Sequence, residues 1–98
     1  MDTKITARHF SATPKLKDHV YMRLSKLERF YNGITDAHVV LSMPNGGNLQ
    51  KSAEITVNVY RQSLTAQDRA LTFEEAIDRC VLRLRRQVLR YKDKLRGN

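Results

Sequence analysis

Residues 72–95 read TFEEAIDRCVLRLRRQVLRYKDKL, and two patterns are superimposed on them. Phe73, Ala76, Ile77, Cys80, Val81, Leu84, Val88, Tyr91 and Leu95 recur at the spacing that lines one face of an α-helix. Thr72 precedes the run and Glu75 follows three residues later. That is a capping box, in which the threonine hydroxyl takes an otherwise unpaired N–H of the first turn. Glu74, Glu75 and Asp78 sit at the positive end of the helix dipole and the bases crowd its negative end, so both placements are favourable. A long amphipathic helix to about Leu95 follows, and its single apolar stripe has to be buried against another layer.

The preceding residues supply that layer. In Ser52 to Tyr60, Ala53, Ile55, Val57 and Val59 face one way, and Glu54, Thr56, Asn58 and Tyr60 the other. A period of two means a strand with one buried and one wet face. Ala37 to Met43 is a β-branched and apolar run that reads as another strand. Pro44-Asn45-Gly46-Gly47-Asn48 between them is turn chemistry. Leu64 to Gln67 reads as a short strand after a tight connection at Arg61-Gln62. At the amino end, Lys4 to Phe10 reads as a strand with Ile5, Ala7 and His9 on one side. Thr13 and Pro14 then form an N-cap and first helical position. Leu16, Val20, Leu24, Leu27 and Tyr31 give the stripe of a helix stopping near Asn32-Gly33, with the glycine as its C′ residue. The order is β-α-β-β-β-α. The expected fold is an α+β two-layer sandwich, a four-stranded sheet with two helices on one face.

The chain has 98 residues, which supports one core and hence a single domain over 1–98. At 41% hydrophobic it is too apolar for a disordered chain. No apolar run reaches the roughly 18 residues of a membrane span, and Met1-Asp2-Thr3-Lys4-Ile5 opens no signal peptide. Cys80 is the only cysteine, so no internal disulfide forms. These features place the expected site of action in the cytoplasm.

The net charge is +8, and its distribution is uneven. Residues 79–98 hold eight bases against Asp93 alone, a net of +7. On the last helix Arg79, Arg83, Arg86, Arg90 and Lys94 form one column beside the apolar stripe, with no acid read inside it. Arg85, Lys92 and Arg96 form a second column on the other flank. On the first helix Lys15, Arg23, Lys26 and Arg29 gather on one side. Side by side on one sheet face, the helices would merge such columns into one basic surface. Like charges spread over about 22 Å of helix repel one another, whereas a polyanion turns that repulsion into attraction and releases counterions. Arginine, which predominates, matches phosphate geometry. A solvated face would ordinarily mix signs at i,i+4, so a phosphate-binding surface is the expectation. An anionic membrane fits less well, because the apolar stripes are needed for the core.

The wet face of the central strand carries Glu54, Thr56 and Asn58 rather than the base-stacking aromatics of an RRM. Asn45-Gly46-Gly47-Asn48 is not the GXXG loop of a KH domain, and no zinc-finger or helix-turn-helix pattern is present. From Pro14 onward the order α-β-β-β-α also matches a double-stranded RNA-binding module, although acids rather than bases open the last helix here.

His19-Val20, Arg23-Leu24-Ser25-Lys26-Leu27-Glu28, Ala76-Ile77-Asp78, Arg83-Leu84-Arg85-Arg86-Gln87 and Lys92-Asp93-Lys94, in this order and spacing, resemble the ribosome hibernation-promoting factor family. Its relatives include the ribosome-associated inhibitor and sigma-54 modulation proteins. The resemblance covers nearly the whole chain, including Thr13 and Ser52-Ala53. It implies the same β-α-β-β-β-α fold. It also implies binding to the small ribosomal subunit and its rRNA in the channel of messenger and transfer RNA, near the decoding centre. A bound factor of this kind blocks mRNA and tRNA, inhibits translation and preserves idle ribosomes in stationary phase. The positions matching the family's rRNA-facing residues are Arg23, Lys26 and Arg29 on the first helix, and Arg83, Arg86, Arg90, Lys92 and Lys94 on the second. Arg79 extends that column outside the motif.

Two departures stand out. Family members commonly carry Asp-x-Tyr just before Ala-Ile-Asp; here Asp68 is separated from Ala76 by the longer Arg69 to Glu75, which leaves the contacts of that connection open. The sequence also stops at Asn98, so it resembles the short form, and ribosome pairing would need another factor.

The remaining chemistry-bearing residues read as structural. Cys80 falls on the core stripe and is expected to be an inert buried thiol. His9, His19 and His38 are scattered, so no metal site is expected, and no cofactor or small-molecule substrate either. His19 is a further hydrogen-bond donor for the basic face of the first helix. Leu82 and Leu89, seven apart opposite the apolar stripe, are either scattered exposed leucines or a small patch for a protein partner. With no nucleophile–base pair or phosphate loop, an enzyme is the least expected reading. The expectation is a ribosome-binding domain, monomeric when free; the alternatives are a general double-stranded RNA module and a protein-interaction domain.

Overall fold

A computed structural model describes residues 1–45 and 49–97. Its elements are β1 (Asp2–Arg8), α1 (Pro14–Phe30), β2 (Asp36–Ser42), β3 (Lys51–Val59), β4 (Gln62–Ala70) and α2 (Phe73–Leu95), the expected order. The sheet order is β1-β2-β3-β4. β1 and β2 run parallel, with α1 as the crossover between them, and the other neighbours are antiparallel. Both helices bury their stripes on the same face. Leu16, Val20, Leu24 and Leu27 of α1 meet Ala37, Val39 and Leu41 of β2, the inward residues Ala53, Ile55, Val57 and Val59 of β3, and Phe73, Ala76, Ile77, Cys80, Leu84, Val88 and Tyr91 of α2 in one core. Val81 is only partly buried against it, and Leu95, expected on the stripe, is exposed because the helix end runs past the core. The opposite face is polar and carries its own ladder. Thr6 meets His38 at 2.9 Å, Thr56 meets Thr65 at 2.9 Å, and Asn58 donates to Asp36 at 2.8 Å.

Both threonine caps form as expected, although the Glu75 carboxylate turns to Arg79 rather than completing the capping box at Thr72 N–H. The Thr13 hydroxyl accepts from Leu16 N–H and the Thr72 hydroxyl from Glu75 N–H, each at 3.1 Å. Several boundaries differ from expectation. β1 starts at Asp2 and ends before His9, whose φ of 69° lies in the left-handed region and breaks the strand. β4 is longer than Leu64–Gln67 because residues 62–70 pair throughout with β3. That longer strand absorbs Asp68 and Arg69, so only Leu71 and Thr72 join β4 to α2. The β3–β4 turn falls on Tyr60-Arg61, one residue earlier than expected, with Arg61 at φ 63°. The turn expected over Pro44 to Asn48 falls largely on residues 46–48, outside those described.

Gly33 is not a left-handed C′ residue. α1 stops at Phe30, and the cap Tyr31 is extended at φ −151°, its N–H bonded to Leu27 C=O. The Tyr31 ring then folds over Gly33, where a Cβ would overlap it. Glycine is required there by close approach rather than by φ. The same ring packs edge-on against Tyr91 at 5.9 Å, pinning the end of α1 to α2.

Cys80 is fully buried, its thiol directed at Ala53 C=O at 3.3 Å. Burial pushes its pKa up to about 11, so at neutral pH it stays a protonated core residue.

Candidate nucleic-acid interface

Helical periodicity gives α2 two flanks beside its buried stripe, and the neighbouring elements treat them differently. One flank faces β4. There Arg79 pairs with Glu75 at 2.7 Å and donates to Arg69 C=O at 3.0 Å. Arg83 pairs with Asp68 at 3.2 Å. Gln87 donates to Thr65 C=O at 2.8 Å, and the Tyr91 hydroxyl to Tyr60 C=O at 2.6 Å. These side chains cap carbonyls on β4 and its turn, which protects that strand from pairing with another chain. The column of Arg79, Arg83, Arg86, Arg90 and Lys94 therefore lies away from α1 and does not merge with its bases. Nor is it free of acids: Glu75 precedes Arg79 by four residues, and Asp68 arrives from β4.

The other flank of α2 faces α1, and it is the second column that lies there. Arg85 sets its guanidinium 4.9 Å from the Phe30 ring of α1, and the Lys92 ammonium lies 5.1 Å from the same ring and 5.9 Å from Tyr31. A cleft of about 350 Å³ opens between the helices. Its apolar side chains are Leu27, Phe30, Val81 and Leu82, and its charged ones are Arg23, Lys26, Arg29 and Arg85. No acid lines it. The bases that merge across the helix layer are thus Arg23, Lys26 and Arg29 with Arg85 and Lys92.

At the amino-terminal end of this seam Asp78 is more than a dipole residue. His19 Nε2 donates to its Oδ1 at 2.8 Å and Arg23 Nε at 2.7 Å, a bridge that ties α1 to α2. His19 is therefore tied to Asp78 rather than standing free on the basic face. The Arg23 guanidinium holds the Asp78 carboxyl below its ordinary pKa, against the upward push of desolvation, and the pKa of Arg23 rises in return. The sign for stability follows. A carboxyl with a depressed folded-state pKa stabilises the fold above its unfolded value near 4, and that part is lost as pH falls through the folded pKa. Asp36, lowered by bonds from Asn58 and Thr35, acts in the same direction. Asp78→Asn is expected to cost about 1 kcal/mol at neutral pH, a Tm drop of roughly 4–8 °C. It should also make the fall in Tm between pH 6 and pH 3 shallower than in the parent. Thermal melts of both proteins across that range check this; parallel curves would refute the bridge.

The nine expected site residues fall into three groups. Arg23, Arg79 and Arg83 are ion-paired to the protein's own acids. Lys92 rests on aromatic rings. Lys26, Arg29, Arg86, Arg90 and Lys94 are exposed and carry no ion pair among the described residues. Arg85 was not among the nine, although it lies in the column that faces α1. Its signal was present in the sequence: it stands seven residues after Asp78, two turns along the same flank. Among the described residues no group of His, Cys, Asp and Glu could hold a metal ion. No helix there is long and apolar enough to cross a membrane.

Fold and site together define a small α+β domain whose helix layer is a cationic surface with a cleft along its seam. The chain belongs to the Sigma 54 modulation protein / S30EA ribosomal protein family, whose model matches residues 3–96. It is 29% identical over 96 residues to the ribosome hibernation promoting factor of Klebsiella oxytoca, covering 98% of both chains. It is 28% identical over 95 residues to the ribosome hibernation promotion factor of Bacillus subtilis, covering 97% of this chain but only half of that one. Among solved structures it superposes on the Protein Y N-terminal domain of Thermus thermophilus with a TM-score of 0.82 and 33% identity, over 93% of this chain and 99% of that one.

Proposed function

We propose that the protein is a non-catalytic ribosome hibernation factor. It acts in the cytoplasm as a free monomer that binds the small ribosomal subunit near the decoding centre, through the outward face of its two helices. Bound there, it occupies the path of messenger and transfer RNA and inhibits translation in stationary phase. The observation that carries this reading is the helix layer itself. Lys26, Arg29, Arg85, Arg86 and Arg90 are exposed and carry no ion pair among the described residues, whereas Asp78, Glu75 and Asp68 pair with Arg23, Arg79 and Arg83 instead. Exposed bases without acidic partners await an external polyanion. The ribosome hibernation factors named among its relatives support the reading of that polyanion as ribosomal RNA.

Sucrose-gradient profiles of ribosomes with and without added protein test this. The protein should travel with small subunits and whole ribosomes and not with large subunits alone. Five phosphate contacts would give a binding constant falling with roughly the fourth power of salt concentration. Protein remaining at the top of the gradient at low salt would overturn the proposal. Equal affinity for any duplex RNA would favour a general double-stranded RNA module instead.

A further inference from the structure

Phosphate binding does not account for the floor of the interhelical cleft. Leu82 is 58% exposed, Phe30 and Val81 are half-buried, and all three line one recess. A phosphate gains nothing from an apolar floor, and a base-paired duplex keeps its base faces stacked inside. The rim is cationic: Lys26 and Arg29 stand on one side and Arg85 on the other. The Arg85 guanidinium lies over the Phe30 ring, 4.9 Å from its centroid, and lines the recess together with it. A flat apolar and π-rich recess with a positive rim complements one ligand class in both parts, an unpaired nucleotide with its base inside and its phosphates outside. The volume of about 350 Å³ is at the small end for ligand pockets, which suits a single residue of a strand rather than a segment.

We infer that the cleft between α1 and α2 captures one unpaired nucleotide of single-stranded RNA, its base against Phe30, Val81, Leu82 and the plane of Arg85, its flanking phosphates on Lys26 and Arg29. This rests on the RNA-binding reading above and adds a preference within it. The helix layer selects RNA that offers an unstacked base, so its affinity is not set by charge alone.

The test uses the full chain and a fluorescein-labelled oligoribonucleotide of about 12 nucleotides. It is presented single-stranded, annealed to its complement, and with its bases replaced by abasic residues. Fluorescence anisotropy should show the intact single strand bound at least about fivefold more tightly than the duplex or the abasic strand. Arg85→Lys keeps the charge and removes the plane; it should weaken the intact strand about five- to tenfold, several-fold more than it weakens the other two. Leu82→Ser, at an exposed position, should do the same. Equal affinity for all three probes overturns the inference, as does Arg85→Lys binding like the parent, or a polyglutamate peptide binding as tightly as the single strand. Far-UV circular dichroism confirms that each variant is folded. Loss of discrimination with ribosome co-sedimentation intact removes only the cleft preference. Discrimination without co-sedimentation keeps the cleft and removes the hibernation reading.

Discussion

Lys26→Glu, Arg29→Glu and Arg85→Glu combined should release the protein from ribosomes while its fold persists. All three side chains are exposed and free of ion pairs among the described residues, so reversing them removes contacts without opening the core. Three charge-assisted contacts at about 1.5 kcal/mol each amount to roughly a thousandfold in affinity. The slope of log affinity against log salt should fall by about 2 to 3. The cost to stability is a few tenths of a kcal/mol, chiefly from losing Arg29 in the last turn of α1, where it favours the helix dipole. The control is Arg79→Gln with Arg83→Gln. Both residues already pair with Glu75 and Asp68, so this change should cost stability and less than tenfold in ribosome affinity. If the control abolished co-sedimentation and the triple variant did not, the interface would lie on the β4 flank and the assignment of the seam would be wrong.

The largest expected loss of stability comes from Leu84→Ala. Leu84 is completely buried between the sheet and α2. Removing three carbons there leaves a cavity and costs about 3 kcal/mol, within the 2–5 kcal/mol range of such changes. A small domain has only about 5–15 kcal/mol in total, so this variant should melt roughly 12–24 °C below the parent. Two residues away, Leu82→Ala should stay within about 0.5 kcal/mol, because Leu82 is 58% exposed. Thermal melts of the two variants therefore check how α2 is rotated on the sheet. Comparable losses at both positions would mean the helix faces are misassigned.

Local rules carried much of the structure. Thr13-Pro14 and Thr72 mark the helix starts because cap chemistry needs only residues within one turn. The alternation in Ala53, Ile55, Val57 and Val59 fixes the buried face of β3, since successive side chains in a strand must point to opposite sides. Where those rules failed, side-chain packing or strand pairing decided. Gly33 looks like a helix terminator, but the ring of Tyr31 imposes the glycine by packing over it. β4 looks short because Asp68 and Arg69 lack strand propensity, yet pairing with Ala53 and Ser52 holds them extended. The pairing of Glu75 with Arg79 was legible at i,i+4; that of Arg83 with Asp68 was not, because it depends on which strand lies beside α2.

The amino-acid order alone determined two amphipathic helices, four strands, one layer of each, and an excess of positive charge on the final helix. All of these follow from periodicity and composition within a few turns of chain. Only the tertiary structure decided which basic column looks toward α1 and which lies on the β4 flank with Arg79 and Arg83 ion-paired. That choice depends on the lateral order of the helices over the sheet, set by burying both stripes on one face, and no stretch of sequence encodes it by itself. The seam of Arg23, Lys26, Arg29, Arg85 and Lys92 is a product of that packing.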